Sequence, residues 1–119
     1  MQAVTKISER TAKGASGDAV GVLAFSGDIA STSKDAIMDA YHGLKAGTHK
    51  VLLDFRAADY INSSGIAIII QMLLEASKKG DCKIGIFGLS PHFTKVFTMV
   101  GVSKYATLSP DEASALAKM

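Results

Sequence analysis

The residues best suited to chemistry stand together in one short turn, Tyr60-Ile61-Asn62-Ser63-Ser64-Gly65. Asn and Ser side chains accept hydrogen bonds from the unpaired amides of a helix's first turn, so the segment predicts a helix start. Gly65 costs about 1 kcal/mol there relative to alanine. We therefore expect something, such as a binding partner, to approach the backbone closely at Gly65. A helix cap with no further role is the alternative interpretation.

Catalysis by a serine of this turn would need a nearby base. The candidates are His42, His49 and His92, which fall on different predicted elements, and no pair has the spacing of metal ligands. The segment Gly14-Ala15-Ser16-Gly17-Asp18 is not followed by the Gly-Lys-Ser/Thr of a phosphate-binding loop. The sequence therefore predicts a binding protein, with no enzyme activity, metal or cofactor.

Composition narrows the class of partner. A net charge of +2 with scattered lysines gives no nucleic-acid surface. The single cysteine, Cys82, excludes an internal disulfide and favours the reducing cytoplasm. The N-terminus lacks a secretory signal, and the longest apolar run, residues 66–74, is shorter than the ~20 residues that span a bilayer. We expect a cytoplasmic protein without membrane insertion.

Hydrophobic patterning predicts an α/β fold in the order β-β-α-β-α-β-α, then a short strand near Tyr105 and a last helix. The strands are predicted over residues 3–9, 19–25, 50–55 and 81–87, with the first two forming a hairpin. The helices are predicted around the stripe Ile37-Tyr41-Leu44, over residues 64–79, around the stripe Phe93-Val96-Phe97-Val100, and at the C-terminal end. The second stripe is interpreted as part of the core rather than as an interface. Such an order builds a mixed sheet of four or five strands with parallel crossovers and about four helices, in one domain over residues 1–119.

Capping residues predict the helix boundaries. Thr32 and Ser109 are placed to begin the first and last helices, and Gly47, Gly80 and Gly101 to end the first three. Residues 57–60 are predicted as a loop that leaves a buried strand and leads into the helix at residue 64. Loops at that end of a parallel strand are where α/β sheets usually carry function.

The same residues resemble the STAS domain family, which includes the anti-sigma factor antagonists and the cytoplasmic tails of sulfate transporters. The family pattern is a strand ending in Asp, a short loop, an aromatic residue, and Asp-Ser-Ser/Thr-Gly-Leu-Gly before an apolar helix. The matching segments are Val51-Leu52-Leu53-Asp54-Phe55 and Tyr60-Ile61-Asn62-Ser63-Ser64-Gly65-Ile66-Ala67, with further matches at Ser26-Gly27-Asp28-Ile29, Ser90-Pro91, Val96-Phe97 and Val100-Gly101-Val102. The resemblance covers about residues 3–117.

The resemblance implies a STAS-type fold and a partner-switching role. Ser63 matches the serine that a partner kinase, itself an anti-sigma factor, phosphorylates in the antagonists. The unphosphorylated antagonist binds the anti-sigma factor, and a metal-dependent serine phosphatase restores that form. The partner-binding residues implied here are Asp28, Tyr60, Asn62, Ser63, Ser64 and Gly65.

Two positions depart from the family pattern. Asn62 replaces the Asp that precedes the phosphorylated serine, and Ala30 stands where an acid is common. Both changes remove negative charge near Ser63. A non-switching STAS scaffold, or a regulatory subunit of a transporter, is therefore the alternative function.

Overall fold

The computed structural model describes residues 5–44, 48–78 and 82–119. Its strands are β1 (Lys6–Lys13), β2 (Ala19–Ile29), β3 (Lys50–Ile61), β4 (Lys83–Phe87) and β5 (Thr107–Ser109). Its helices are α1 (Lys34–His42), α2 (Ser63–Lys78), α3 (Pro91–Met99) and α4 (Glu112–Ala117), and short 3-10 helices occupy Ser31–Ser33 and Val102–Lys104.

The five strands form one sheet in the order β1-β2-β3-β4-β5. β1 runs antiparallel to β2, and the remaining neighbours are parallel. Parallel neighbours need crossover connections, which the intervening helices supply. The predicted α/β class, element order and mixed sheet are confirmed.

Apolar residues alternate along the strands, so each face of the sheet has its own core. One face carries Leu23, Leu53 and Ile86 in a large cluster with buried side chains of α1, α2 and α3. The other face carries Val22, Leu52 and Phe87 in a smaller cluster with Ala115 of α4. Burying each such Leu or Ile side chain contributes about 1.5–3 kcal/mol, so the three-helix face dominates the packing energy. Among the helices that the structure describes, none is long and apolar enough to cross a membrane.

The loop predicted over residues 57–60 is wrong, because these residues continue β3. The β2–β3 ladder passes from Ala24↔Asp54 to Ser26↔Ala57, and then from Gly27↔Ala58 to Asp28↔Tyr60. β3 therefore gains one extra residue at each of these two bulges. Its inward side chains in this part are Phe55, Ala58 and Ile61, three residues apart. That spacing hides the two-residue alternation by which a strand is recognised in sequence.

Several predicted boundaries also move. The cap predicted at Thr32 is wrong, because Thr32 lies within the 3-10 helix that precedes α1. The hydroxyl of Ser33 accepts a hydrogen bond from the Ala30 amide at 2.9 Å. α4 is capped by Asp111 and not by Ser109, which ends β5. α1 ends at His42, and the predicted ends at Gly47 and Gly80 lie outside the described residues.

Other shifts concern strand limits and the α3 stripe. β1 begins at Lys6 rather than at residue 3, and the strand near Tyr105 is Thr107–Ser109. Phe97 of the α3 stripe is fully buried, whereas Val100 is 48% exposed, so the core assignment was wrong for Val100.

Candidate functional site: the start of helix α2

Two parallel strands bring the predicted site residues to one edge of the sheet. β2 ends at Ile29 and β3 at Ile61, and the register pairs Asp28 with Tyr60 and Ile29 with Ile61. The Asn62 amide donates to the Ile29 carbonyl at 3.1 Å, which extends the ladder by one residue. Asp28 and the turn that begins at Tyr60 therefore lie side by side.

Asn62 is the residue that caps α2. Its side-chain Oδ1 accepts the Gly65 amide at 2.8 Å, and its carbonyl accepts the Ile66 amide at 3.0 Å. The helix therefore begins at Ser63, one residue before the predicted start. An asparagine at this position satisfies the third amide of the helix as an aspartate would, but without a negative charge.

Because Asn62 provides the cap, the hydroxyls of Ser63 and Ser64 are not used for capping. Both residues are exposed in the first turn of α2. Within the part of the chain that the structure describes, neither their hydroxyls nor their backbone amides make a hydrogen bond. The turn thus presents two serine hydroxyls beside two unused amides at the positive end of a 16-residue helix.

The close approach predicted at Gly65 is real, but it comes from the protein itself. A Cβ atom at residue 65 would lie 2.4 Å from the carbonyl oxygen of Ile29 and 2.8 Å from its carbonyl carbon. Gly65 is buried, so an external partner has no access to its backbone. The glycine lets α2 pack directly on the end of β2, and the expectation of a partner at that atom is wrong.

Asp28 occupies the other side of the site. Its backbone carbonyl accepts a hydrogen bond from the Thr5 hydroxyl, which also contacts the buried hydroxyl of Ser33. Its carboxylate makes no hydrogen bond or ion pair with any residue in 5–44, 48–78 or 82–119. Asp28 is therefore a half-buried acidic residue that no described residue pairs with, next to the strand that leads into Ser63.

Tyr60 is the large apolar group of the site, with 58% of its surface exposed. Its ring meets Phe93 of α3 edge to face, with centroids 6.0 Å apart and planes at 72°. Phe93 in turn contacts the ring of His92 at 5.0 Å. The sequence placed Phe93 only in a core stripe, so the contribution of α3 to this surface was missed. The matched segment Ser90-Pro91 was the signal, because it sets the start of α3.

Asp54, the family's strand aspartate, lies inside β3 and has a structural role. It is 5% exposed, and Arg56 holds it through Nε at 3.1 Å and Nη2 at 2.8 Å. Burial opposes ionisation of Asp54, but the hydrogen bonds from Arg56 outweigh it and lower the pKa of the carboxyl below its ordinary value. The Arg56 guanidinium also lies 5.1 Å above the centre of the Phe87 ring. This pair stabilises the face of the sheet that carries α4.

The sequence profile of the STAS domain matches residues 11–115, so the chain belongs to the STAS domain family. No curated protein is significantly similar in sequence. An anti-sigma factor antagonist from Mycobacterium paratuberculosis has the same fold, with a TM-score of 0.76, 20% identity, and coverage of 98% of this chain and 96% of that chain.

Three further solved structures share the fold. The unphosphorylated form of the anti-sigma factor antagonist SpoIIAA is 12% identical, with a TM-score of 0.67 over 92% of each chain. The phosphorylated form of SpoIIAA, a Bacillus cell fate determinant, gives 0.65 at 14% identity, over 92% of this chain and 96% of that one. The murine anion transporter Slc26a9 is 14% identical with a TM-score of 0.67, over 81% of this chain and 17% of the transporter.

Proposed function

We propose that the chain is a cytoplasmic anti-sigma factor antagonist that acts by partner switching. With Ser63 unphosphorylated it binds an anti-sigma factor that is also a serine kinase, and phosphorylation of Ser63 releases it. A serine phosphatase restores the binding form. The observation that carries the proposal is the exposed, unengaged hydroxyl of Ser63, one residue after the cap of α2.

The comparisons support this choice among the functions of STAS domains. The first solved structure named above is an anti-sigma factor antagonist, and SpoIIAA is known in both an unphosphorylated and a phosphorylated form. Ser63 is the position that matches the phosphorylated serine of such antagonists. Asp28, Tyr60, Asn62, Ser64 and Gly65 make up the rest of the proposed partner-binding segment. Gly65 acts from within, because it holds the turn on β2.

The local geometry suits a switch that changes charge and not shape. A phosphate on Ser63 would add about −1.5 to −2 charges. The unused amides of the first turn of α2 can accommodate that charge, so the fold need not rearrange. In a complex the same dianion would be buried against the partner, at a cost of several kcal/mol if it is unpaired. Each 1.4 kcal/mol is about tenfold in affinity, so this cost is enough to end binding.

Asn62 and Ala30 set this chain apart from the antagonists it resembles. A kinase that reads acidic groups around its target serine meets Asp28 and Asp59 in this part of the sheet edge. We propose that Asp28, whose carboxylate is unpaired among the described residues, is the main acidic determinant that the kinase meets. The neutral Asn62 also avoids repulsion between a charged cap and a phosphate on Ser63.

A second candidate function is a non-switching STAS scaffold or a regulatory subunit of a transporter. The two lost acids favour it, since a scaffold needs no kinase recognition. The likeness to a 17% portion of an anion transporter shows that the same fold occurs in that setting. Such a protein would bind through the same face, with Ser63 unmodified.

The deciding experiment combines intact-mass analysis with two variants. The chain is purified from its own cells and examined for a phosphate on Ser63. Ser63→Ala and Ser63→Asp are tested for binding to the purified anti-sigma kinase of the same cells. Ser103→Asp, at an exposed serine outside the proposed partner-binding segment, is the matched charge control. Switching predicts phosphate on Ser63, binding by Ser63→Ala and Ser103→Asp, and at least tenfold weaker binding by Ser63→Asp. Equal binding by all variants, with no phosphate found, would support the scaffold instead.

A further inference from the structure

Phe93 lies on a helix that the sequence did not connect with the switch. It is the third residue of α3, half-buried, and its amide donates to the hydroxyl of Ser90 at 3.2 Å. Pro91 occupies the first position of the helix, where its fixed φ suits a helical start. The backbone that carries Phe93 is therefore held in place by local contacts.

The Phe93 ring lies between two other rings. His92 contacts it at 5.0 Å and Tyr60 at 6.0 Å, and both contacts are edge to face. This arrangement is the one that aromatic quadrupoles favour. Tyr60 has 58% of its surface exposed, and no other aromatic ring contacts it among the described residues. Phe93 is therefore the aromatic contact that can fix the orientation of the Tyr60 ring.

The space beside the Phe93 ring shows why such support matters. A small pocket of about 60 Å³ lies between Ala58 and Ile61 of β3 and Leu89 and Phe93 next to it. A shorter side chain at residue 93 would enlarge this pocket and remove the ring that Tyr60 contacts. The Tyr60 ring could then turn inward, away from the surface that it shares with Ser63.

We infer that Phe93 is a positioning residue of the partner interface, and that it holds the Tyr60 ring in the orientation in which Tyr60 contacts the anti-sigma kinase. This inference rests on the proposed function. Exposed tyrosines are frequent hot spots at interfaces, and a side chain already fixed in its bound orientation loses less freedom on binding. The interface thereby extends from α2 to the start of α3.

The first test uses the free protein and needs no partner. The chain has three tyrosines, so incorporation of 3-fluorotyrosine gives three ¹⁹F signals, from Tyr41, Tyr60 and Tyr105. Phe93→Leu should shift and broaden the Tyr60 signal. Phe93→Tyr, which keeps the ring and adds a fourth ¹⁹F signal of its own, should restore the Tyr60 signal of the parent chain. Val100→Ala, on the same helix stripe, is the matched control and should leave Tyr60 unchanged. An unchanged Tyr60 signal in Phe93→Leu would overturn the inference.

The second test is a double-mutant cycle for binding to the purified anti-sigma kinase. An edge-to-face pair corresponds to about two- to tenfold in affinity, so Phe93→Leu should weaken binding by that factor. In the Tyr60→Ala background, Phe93→Leu should have no further effect, because its action passes through Tyr60. Equal losses in both backgrounds would overturn the positioning role. If the parent chain and Ser63→Ala both fail to bind, the proposed function itself falls, whereas either of the other results leaves that function standing.

Discussion

The starts of α2 and α3 show two uses of serine at a helix N-terminus. In both helices a side-chain oxygen accepts a hydrogen bond from the amide three residues later. Asn62 accepts from the Gly65 amide at 2.8 Å, and Ser90 accepts from the Phe93 amide at 3.2 Å. In α3 the serine is itself the cap, so its hydroxyl is occupied. In α2 the asparagine caps, and the hydroxyl of Ser63 has no partner within the described chain.

The difference teaches that a serine at a helix start is free for modification only when a neighbour takes over the capping role. The hydroxyl of Ser90 caps its helix, whereas no described residue uses the hydroxyl of Ser63. The third residue of each helix differs as well. Gly65 presses on the backbone of β2, whereas Phe93 extends toward Tyr60. α2 is thus fixed to the sheet, while α3 contributes a side chain to the surface.

The largest expected effect concerns that fixed contact. In Gly65→Ala the new methyl group meets the Ile29 carbonyl oxygen, part of a backbone that cannot easily move. We expect a net loss of about 2 kcal/mol in the free energy of unfolding, because overpacking outweighs the gain in helix propensity. Urea denaturation of Gly65→Ala and the parent chain measures this loss in the free energy of unfolding.

The matched control for that variant is Gly85→Ala. The nearest atoms there are the flexible side-chain ends of Leu52, at 3.1 Å, and Met119, at 3.4 Å. We expect that variant to lose less than about 1 kcal/mol, since side-chain ends can shift. Equal losses in the two variants would contradict the view that the start of α2 is fixed on β2.

A smaller effect separates the two serines directly. Ser90→Ala removes the cap of α3 and should lower the free energy of unfolding by about 1 kcal/mol. Ser63→Ala removes a hydroxyl without a described partner and should change it by less than about 0.5 kcal/mol. Thermal or urea unfolding of the two variants, with Ser64→Ala as the exposed-serine control, checks the contrast. A cost for Ser63→Ala as large as that for Ser90→Ala would show that Ser63 also stabilises the helix.

The smallest effect is the pH dependence of a charged cap. The related cap Asp111 accepts the Ser114 amide, and this hydrogen bond lowers the pKa of the Asp111 carboxyl. In Asn62→Asp the new carboxylate should likewise accept a hydrogen bond from the Gly65 amide, and this bond should lower its pKa. Because the folded-state pKa would lie below the unfolded value of about 3.9, the added stability is present above about pH 4 and is lost as the pH falls through the folded pKa.

The expected gain for Asn62→Asp is about 0.5 kcal/mol near pH 7, from the charge at the helix start. The difference in free energy of unfolding between Asn62→Asp and the parent chain, measured from about pH 7 to about pH 2.5, provides the test. A difference that does not change with pH would show that the charge of the cap has no role.

The general fold was predictable because apolar periodicity follows burial. The buried run Val51–Phe55 and the apolar strands on either side of it predicted the sheet. Phe97 lies in the large core as predicted, and Ile37 and Tyr41, predicted to share one helical face, are both buried there. β3 beyond Phe55 was not predictable, since two bulges space its inward side chains by three residues. Register shifts depend on the partner strand, which local sequence does not specify.

Caps were predicted with mixed success for a similar reason. Ser109 and Asp111 are both acceptable caps, and only the pairing of β5 with β4 through Ser109 decides for Asp111. At Thr32 a 3-10 helix takes the place of the predicted cap. Choices between neighbouring capping residues are made by tertiary contacts.

The site itself divides along the same line. A helix start in the turn at residues 60–65 followed from the capping preference of its Asn and Ser residues. The reason for Gly65, the Asp54–Arg56 pair and the contact of Phe93 with Tyr60 did not, because each joins groups that only folding places side by side. The roles of Gly65, Tyr60 and Phe93 in partner binding remain predictions.

The two bulges in β3 have a consequence for cooperativity. Up to Asp54 the strand is hydrogen-bonded on both sides, by β2 and β4, whereas from Ala57 to Ile61 its ladder runs to β2 alone. The outer half of β3 is therefore held by fewer strand contacts than the inner half. We expect its backbone amides to exchange with solvent sooner than those of Val51–Asp54, whereas the start of α2 stays in place through the contact of Gly65 with Ile29.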